Sequence, residues 1–315
     1  MPQMPPTQPP GPPYASPNAG IGGLPEIIPD VPVSAVFLTI YLGFAIANMT
    51  ILQVNLRRQH KFIISGALFG FSMSRIVTFA LRIVWATHQH DVRVAIAANV
   101  FVNAGVLVVY VVNLIFAQRI LRAKQPAIGW HPSISIVLKA FYFGIGAALV
   151  LVIYSVVQAS YTLDPYKLRV VRDIQLAAIT YLLVFTTLPL WLHLVAHFLL
   201  PKSAEAESFG HGGMTAKIVI NVVATCLCVV IAGFKAGTTW EPPRPVSNPA
   251  WYHSRAAFYV FEFVLEILVL SLLTFSRVDK RFHVPNGSRQ PGDYSRRPSE
   301  RASIEKGERS DQSGY

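Results

Sequence analysis

The chain is short of charge. Of its 315 residues only 14% are Asp, Glu, Lys or Arg, where a soluble domain of this size carries about a quarter. Cysteine is scarce too. Cys226 and Cys228 share one apolar run, which excludes a disulfide-stapled extracellular fold and leaves small packing residues as the natural reading. Lys and Arg are absent from residues 1–32, so this stretch lacks the basic region of a cleaved signal peptide, and the first apolar run must do the targeting. No loop is long enough to hold a soluble catalytic domain. No Ser-His-Asp order, Gly-rich phosphate loop or HExxH is present, so enzymatic activity is not expected. The net charge of +11 lies between apolar runs and on the C-terminal tail, not on a foldable soluble domain, so nucleic acid is not an expected partner.

What the chain has is grease. About half of it, 52%, is apolar, gathered into seven runs of 20 or more residues: Val33–Val54, Ile63–Thr87, Val94–Ala117, Ile134–Val157, Ile174–Leu200, Ala216–Lys235 and Ser254–Phe275. At 1.5 Å per residue each can cross a hydrocarbon core of about 30 Å. Backbone groups in lipid must be satisfied within the segment, so the expected fold class is all-α, a seven-transmembrane helix bundle. Three regions follow: a Pro-rich arm over 1–32, expected to be disordered; the bundle over 33–276; and a basic, mostly disordered tail over 277–315. Basic residues set the orientation. Arg57, Arg58 and Lys61, then Arg119, Arg122 and Lys124, then Lys202 and Lys217, then Arg277, Lys280 and Arg281 favour one side. Lys167, Arg169, Arg172, Lys235, Arg244 and Arg255 oppose them. The balance puts the N-terminus outside and the C-terminus in the cytoplasm. In the tail, Ser299 and Ser303 each follow an arginine by two residues, a spacing that basic-directed kinases accept, and phosphorylation there would weaken attraction to anionic lipid.

The most informative residues are charges inside spans. Each costs about 2.5–3.5 kcal/mol at a helix centre, so each should pair or line a cavity. Arg75 and Arg82 share a face of the second span, and Glu262 and Glu266 share a face of the seventh. Counted from the outer ends, Arg75 and Glu266 both lie about 18 Å deep, with Arg82 about 8 Å and Glu262 about 12 Å. The matched levels predict Arg75 with Glu266 and Arg82 with Glu262, either as a helix clamp or as a site for a ligand. Asn99 and Asn103 share a face of the third span and are expected to hydrogen-bond between helices. Gly144 and Gly146 predict close helix approach in the fourth. His193 and His197 sit at i and i+4, but no third ligand or base accompanies them, so neither a metal nor any other cofactor is expected.

Several stretches resemble a fungal seven-helix membrane family of unknown function, loosely labelled "family C-like G-protein-coupled receptor". They are Asn55-x-Arg57-Arg58-x-His60-Lys61-Phe62, Ser74-Arg75-Ile76, Arg82-Ile83-x-Trp85, Arg119-Ile120-Leu121-Arg122, Gly129-Trp130 and Arg277-Val278-Asp279-x-Arg281-Phe282-His283-Val284-Pro285. That resemblance implies seven helices and signalling, with a heterotrimeric G protein or another cytoplasmic partner at the inner face. Rhodopsin-like marks are missing: the third span ends Gln118-Arg119-Ile120, and the seventh has no NPxxY. Tyr259-Val260-Phe261-Glu262 is also similar to the RTA-like lipid-translocating family, which implies lipid handling or stress resistance. The expectations are therefore a receptor-like sensor in a membrane, the plasma membrane before the endoplasmic reticulum, with lipid around it and an undefined small-molecule or lipid ligand. Lipid translocation and a structural scaffold are the alternatives.

Overall fold

A computed structural model describes residues 11–58, 60–199, 203 and 206–295. Among these, seven helices are long and apolar enough to cross a membrane: α1 Ile27–Arg57, α2 Ile64–Thr87, α3 Val92–Lys124, α4 Pro132–Tyr161, α5 Pro165–His197, α6 Met214–Trp240 and α7 Arg255–Phe275. A short helix, α8, Val278–Arg281, follows. Large apolar side chains cover the outside of the bundle: Phe143 is 80% exposed, Val150 64% and Trp191 60%. Such a surface suits lipid, not water. The N-terminal face carries residues 11–26 and the loops after α2, α4 and α6. Among the described residues, the C-terminal face carries the connections after α1, α3 and α5 and residues 278–295.

Local chemistry sets the helix ends. Asp91 accepts from the backbone N–H groups of Arg93 and Val94 at the start of α3. Asp164 caps α5 through Tyr166 N–H, with Pro165 in the first turn. Ser254 caps α7 through Ala257 N–H. These are the short polar side chains that satisfy orphaned donors at a helix start. α5 begins well before the expected Ile174 because its first turns hold Lys167, Arg169, Arg172 and Asp173, residues a hydropathy count rejects but a water-facing helical extension tolerates. α7 stops at Arg277, which takes the left-handed conformation (φ 53°, ψ 55°). A side chain other than glycine is strained there, and the bidentate bond from Arg277 to the Asp279 carboxylate (2.9 and 3.0 Å) holds it.

The expected disorder over 1–32 fails for its second half. Helix α1 starts at Ile27, with Ile28 extended ahead of Pro29, as the residue before a proline prefers. Residues 14–22 are hydrogen-bonded to the end of α4 and to the loop after α6: Tyr14 N–H to Ser160 O, Ala19 N–H to Arg244 O and Gly22 N–H to His253 O. Composition favoured disorder, but these donors are satisfied by carbonyls of a helix end and a loop across the N-terminal face.

Helix α3 runs through the middle, touching α2, α4, α5 and α6, while α7 packs against α1 and α6. Of the two expected close approaches in α4, Gly144 is one: a Cβ there would come within 2.2 Å of Tyr181 Oη. Gly146 faces open space.

Candidate functional site

The centre of the bundle is a sealed knot of charge. α2 and α7 are neighbours, with Phe79 and Phe263 rings 4.5 Å apart. Between them Arg75 and Glu266 are fully buried, at 0% and 1% exposed. Arg75 Nε donates to Glu266 Oε2 at 2.7 Å and Nη2 to Oε1 at 2.5 Å. Tyr41 of α1 donates to the same carboxylate at 3.1 Å. The Arg75 Nη1 group reaches the Phe101 and Val102 carbonyls of α3 at 2.9 and 3.1 Å.

Those carbonyls are within reach because α3 is broken. Its hydrogen-bond ladder is interrupted between Gly105 and Leu107: Val106 keeps helical dihedrals (φ −61°, ψ −24°), but its N–H turns to the Ala104 carbonyl and leaves the Val102 carbonyl without its usual donor. Arg75 serves both carbonyls. Lys235 of α6 lies 3.4 Å from the Val102 carbonyl as well. Gly105 is required at the break: a Cβ there would stand 2.5 Å from Ser74 Oγ and 3.0 Å from Arg75 Cζ.

Glu262 does not meet Arg82, which corrects the sequence expectation. Glu262 pairs with Lys235, Oε2 to Nζ 2.5 Å, and both are buried. Glu262 lies in the π-helical run Phe258–Val264 of α7, where its carboxylate meets Lys235 of α6, while Glu266, about one turn on, meets Arg75 of α2.

Arg82 meets Asp30 instead. Its Nη2 and Nε donate to Asp30 Oδ1 at 2.8 and 3.2 Å, and Nη2 also reaches Gly22 O at 3.1 Å. Tyr259 donates to Asp30 Oδ1 at 2.7 Å, and Arg255 Nε stands 3.0 Å from Oδ2. Asp30 is completely buried. Counting it with a disordered arm hid the acid that Arg82 needs. Its position three residues after Ile27, flanked by Pro29 and Pro32, was the available signal for a helix start.

The remaining candidates divide. Asn99 is exposed, and Asn103 donates to its own helix, to Asn99 O at 2.9 Å, so the expected interhelical role is not theirs. Asn113 fills it. Asn221 of α6 donates to Asn113 O and Oδ1, both at 3.1 Å, and Asn113 donates to Cys228 Sγ at 3.3 Å. His193 Nε2 donates to Asn221 Oδ1 at 2.7 Å. His197 contacts Lys124 Nζ at 2.6 Å, so the two histidines serve different partners. Ser299 and Ser303 lie outside the described residues.

A cavity of about 20 Å³ adjoins the knot, lined by Asn103, Tyr110, Lys235 and apolar residues of α3, α4, α5 and α6. It is large enough for one water molecule. Tyr110 is 2% exposed and its hydroxyl has no partner among the described residues. A water there would have the phenol, the ammonium and the Asn103 amide within its walls. No lipid headgroup fits.

Residues 207–283, which hold α6, α7 and α8, match the family described as "Protein of unknown function (DUF3112)". No curated protein and no solved structure matches the chain. The matched stretch includes Lys235, Glu262, Glu266 and the Arg277–His283 turn, so it holds both members of the Lys235–Glu262 pair and the acid of the Arg75–Glu266 pair.

Proposed function

We propose that the protein is a receptor-like sensor of a cellular membrane, without catalytic chemistry of its own, oriented with its N-terminal face outside and its C-terminal face in the cytoplasm. The observation that carries the reading is the closed state of the charge layer. Arg75, Lys235, Glu262 and Glu266 are buried, paired and formally neutral as a set. A translocation pathway for a headgroup needs an open polar route, and the space beside Lys235, about 20 Å³, has room for about one water. A paired charge layer set at helix irregularities and closed to a substrate suits instead an element that reports a change of packing.

The test uses the full chain in lipid nanodiscs and in vesicles. Nucleotide-sensitive binding of a heterotrimeric G protein to the C-terminal face supports the reading. Flip of labelled phospholipid faster than in protein-free vesicles would assign the bundle to lipid handling and overturn it.

A further inference from the structure

A second, larger cleft opens on the C-terminal face, with a volume of about 460 Å³, within the range of about 300–1,000 Å³ typical of small-molecule sites. Three cations line it: Lys61 before α2, and Arg119 and Arg122 in the last turns of α3. No Asp or Glu lines it among the described residues. Neither arginine meets a carboxylate there. Arg119 Nη1 donates to Phe282 O at 2.5 Å, and Arg122 Nε donates to Gly129 O at 3.2 Å while its guanidinium lies 4.3 Å from the Trp130 ring centre. Both are thus held in place by neutral groups, with no ion pair to a carboxylate among the described residues. Glu207 fixes the opposite wall, accepting from Gly292 and Tyr294 backbone N–H at 2.7 and 2.8 Å, which seats the Tyr294 ring at the cleft.

The other border is apolar. Ile63, 77% exposed, and Ile115 line the same cleft. α3 has 33 residues, about 50 Å at 1.5 Å each, so its last turns pass beyond a hydrocarbon core of about 30 Å and stand at headgroup level. A cleft with a cationic floor at that level and an isoleucine wall toward the acyl region is built for a molecule with a phosphate and a hydrocarbon tail. We propose that this cleft binds the headgroup of an anionic phospholipid, its phosphate against Lys61, Arg119 and Arg122 and its chains along Ile63. A free phosphate would use only the floor. The inference stands apart from the sensor reading, because it needs neither signalling nor a particular change of packing.

The test is native mass spectrometry of the detergent-purified full chain with phosphatidic acid or phosphatidylcholine. Retention of phosphatidic acid should exceed that of phosphatidylcholine by about tenfold or more and fall with salt. Lys61→Glu, at an exposed side chain, should abolish most of that preference. Arg57→Glu makes the same charge change on the same face but outside the cleft, and should leave it. Arg122→Gln should also weaken retention, and Lys61→Glu keeps the test open if that variant fails to fold. Equal losses for Lys61→Glu and Arg57→Glu would reduce the effect to general surface charge and overturn the site. Displacement of the lipid by equimolar inorganic phosphate, or by a phosphorylated peptide of residues 294–305, would give the cleft a different ligand and overturn the lipid assignment.

Discussion

Replacing Glu266 by Gln keeps the shape of the side chain and removes the charge that balances Arg75. The guanidinium is then left with two α3 carbonyls, one amide oxygen and no adjacent carboxylate, in a place 0% exposed to solvent. At an effective dielectric of about 20, two charges about 4 Å apart attract by about 4 kcal/mol. Removing one partner of a buried pair costs about 3–5 kcal/mol by experience elsewhere. The two estimates agree, and Lys235–Glu262 nearby does not fill the gap because its own charges already balance. Unfolding of the purified protein in mixed micelles should therefore show a loss of about 3–5 kcal/mol for Glu266→Gln. The loss should change little between low and high salt, since the pair is out of reach of ions. Arg75→Met with Glu266→Leu together should recover most of the stability, because a neutral apolar pair needs no compensation. A loss under about 1 kcal/mol, the scale of an exposed pair, or a double variant as costly as the two singles summed, would refute the reasoning.

Three further outcomes follow from the same geometry. Gly105→Ala should cost about 1–3 kcal/mol by overpacking against Ser74 and Arg75, and Ser74→Gly in the same chain should restore part of it, both read by the same unfolding assay. Asp30→Asn should destabilise far more than Glu26→Gln, by about 3 kcal/mol against less than 1, because Asp30 is sealed among Arg82, Arg255 and Tyr259 whereas Glu26 is exposed; a thermal melt of the two variants checks it. At Asp279, burial raises the carboxyl, but hydrogen bonds from Arg277 and Asn55 and the charges of Arg277 and Lys280 outweigh it and hold it below its ordinary 3.8. A depressed acid contributes stability above pH 3.8, lost as pH falls through the lower folded value, so Asp279→Asn should flatten the stability profile in that acidic window, measured by melting at stepped pH.

The spans were legible because hydrophobicity over some twenty residues is a large, local signal, and lipid leaves helices as the answer. Arg75 with Glu266 was legible for a similar reason: two charges at equal depth in adjacent helices must find each other. The pairing of Arg82 with Glu262 was read on the assumption of regular α-helix through α7 and of no other partner in reach, whereas α7 holds π turns at Phe258–Val264, Asp30 takes Arg82 and Lys235 takes Glu262. No propensity scale flags such turns in the run FYVFEFV. Asp30 was lost to composition, since prolines around it argue for a loose arm while the buried arginine that binds it is 52 residues away. Lys235 was read as a loop charge because it closes an apolar run, yet α6 continues to Trp240 and places the ammonium inside. Asn113 and Asn221 show the same limit: polar residues in a span announce a partner, not which one.

The two central ion pairs are unlike in a way that bears on change. Arg75 and Glu266 hold each other through two hydrogen bonds, with Tyr41 on the acid and two carbonyls on the base, so separating them breaks several contacts at once. Lys235 and Glu262 meet at one contact, beside the one-water cavity and within the π-helical turns of α7. An ammonium is a point charge with three rotatable donors, indifferent to the direction of its acceptor, whereas a guanidinium fork is committed to one plane. The rigid pair thus ties α2 to α7, and the less constrained pair sits where α6, α7 and the break in α3 meet, so a shift of α6 against α7 would alter the Lys235–Glu262 contact directly and the Arg75–Glu266 contact only through α7.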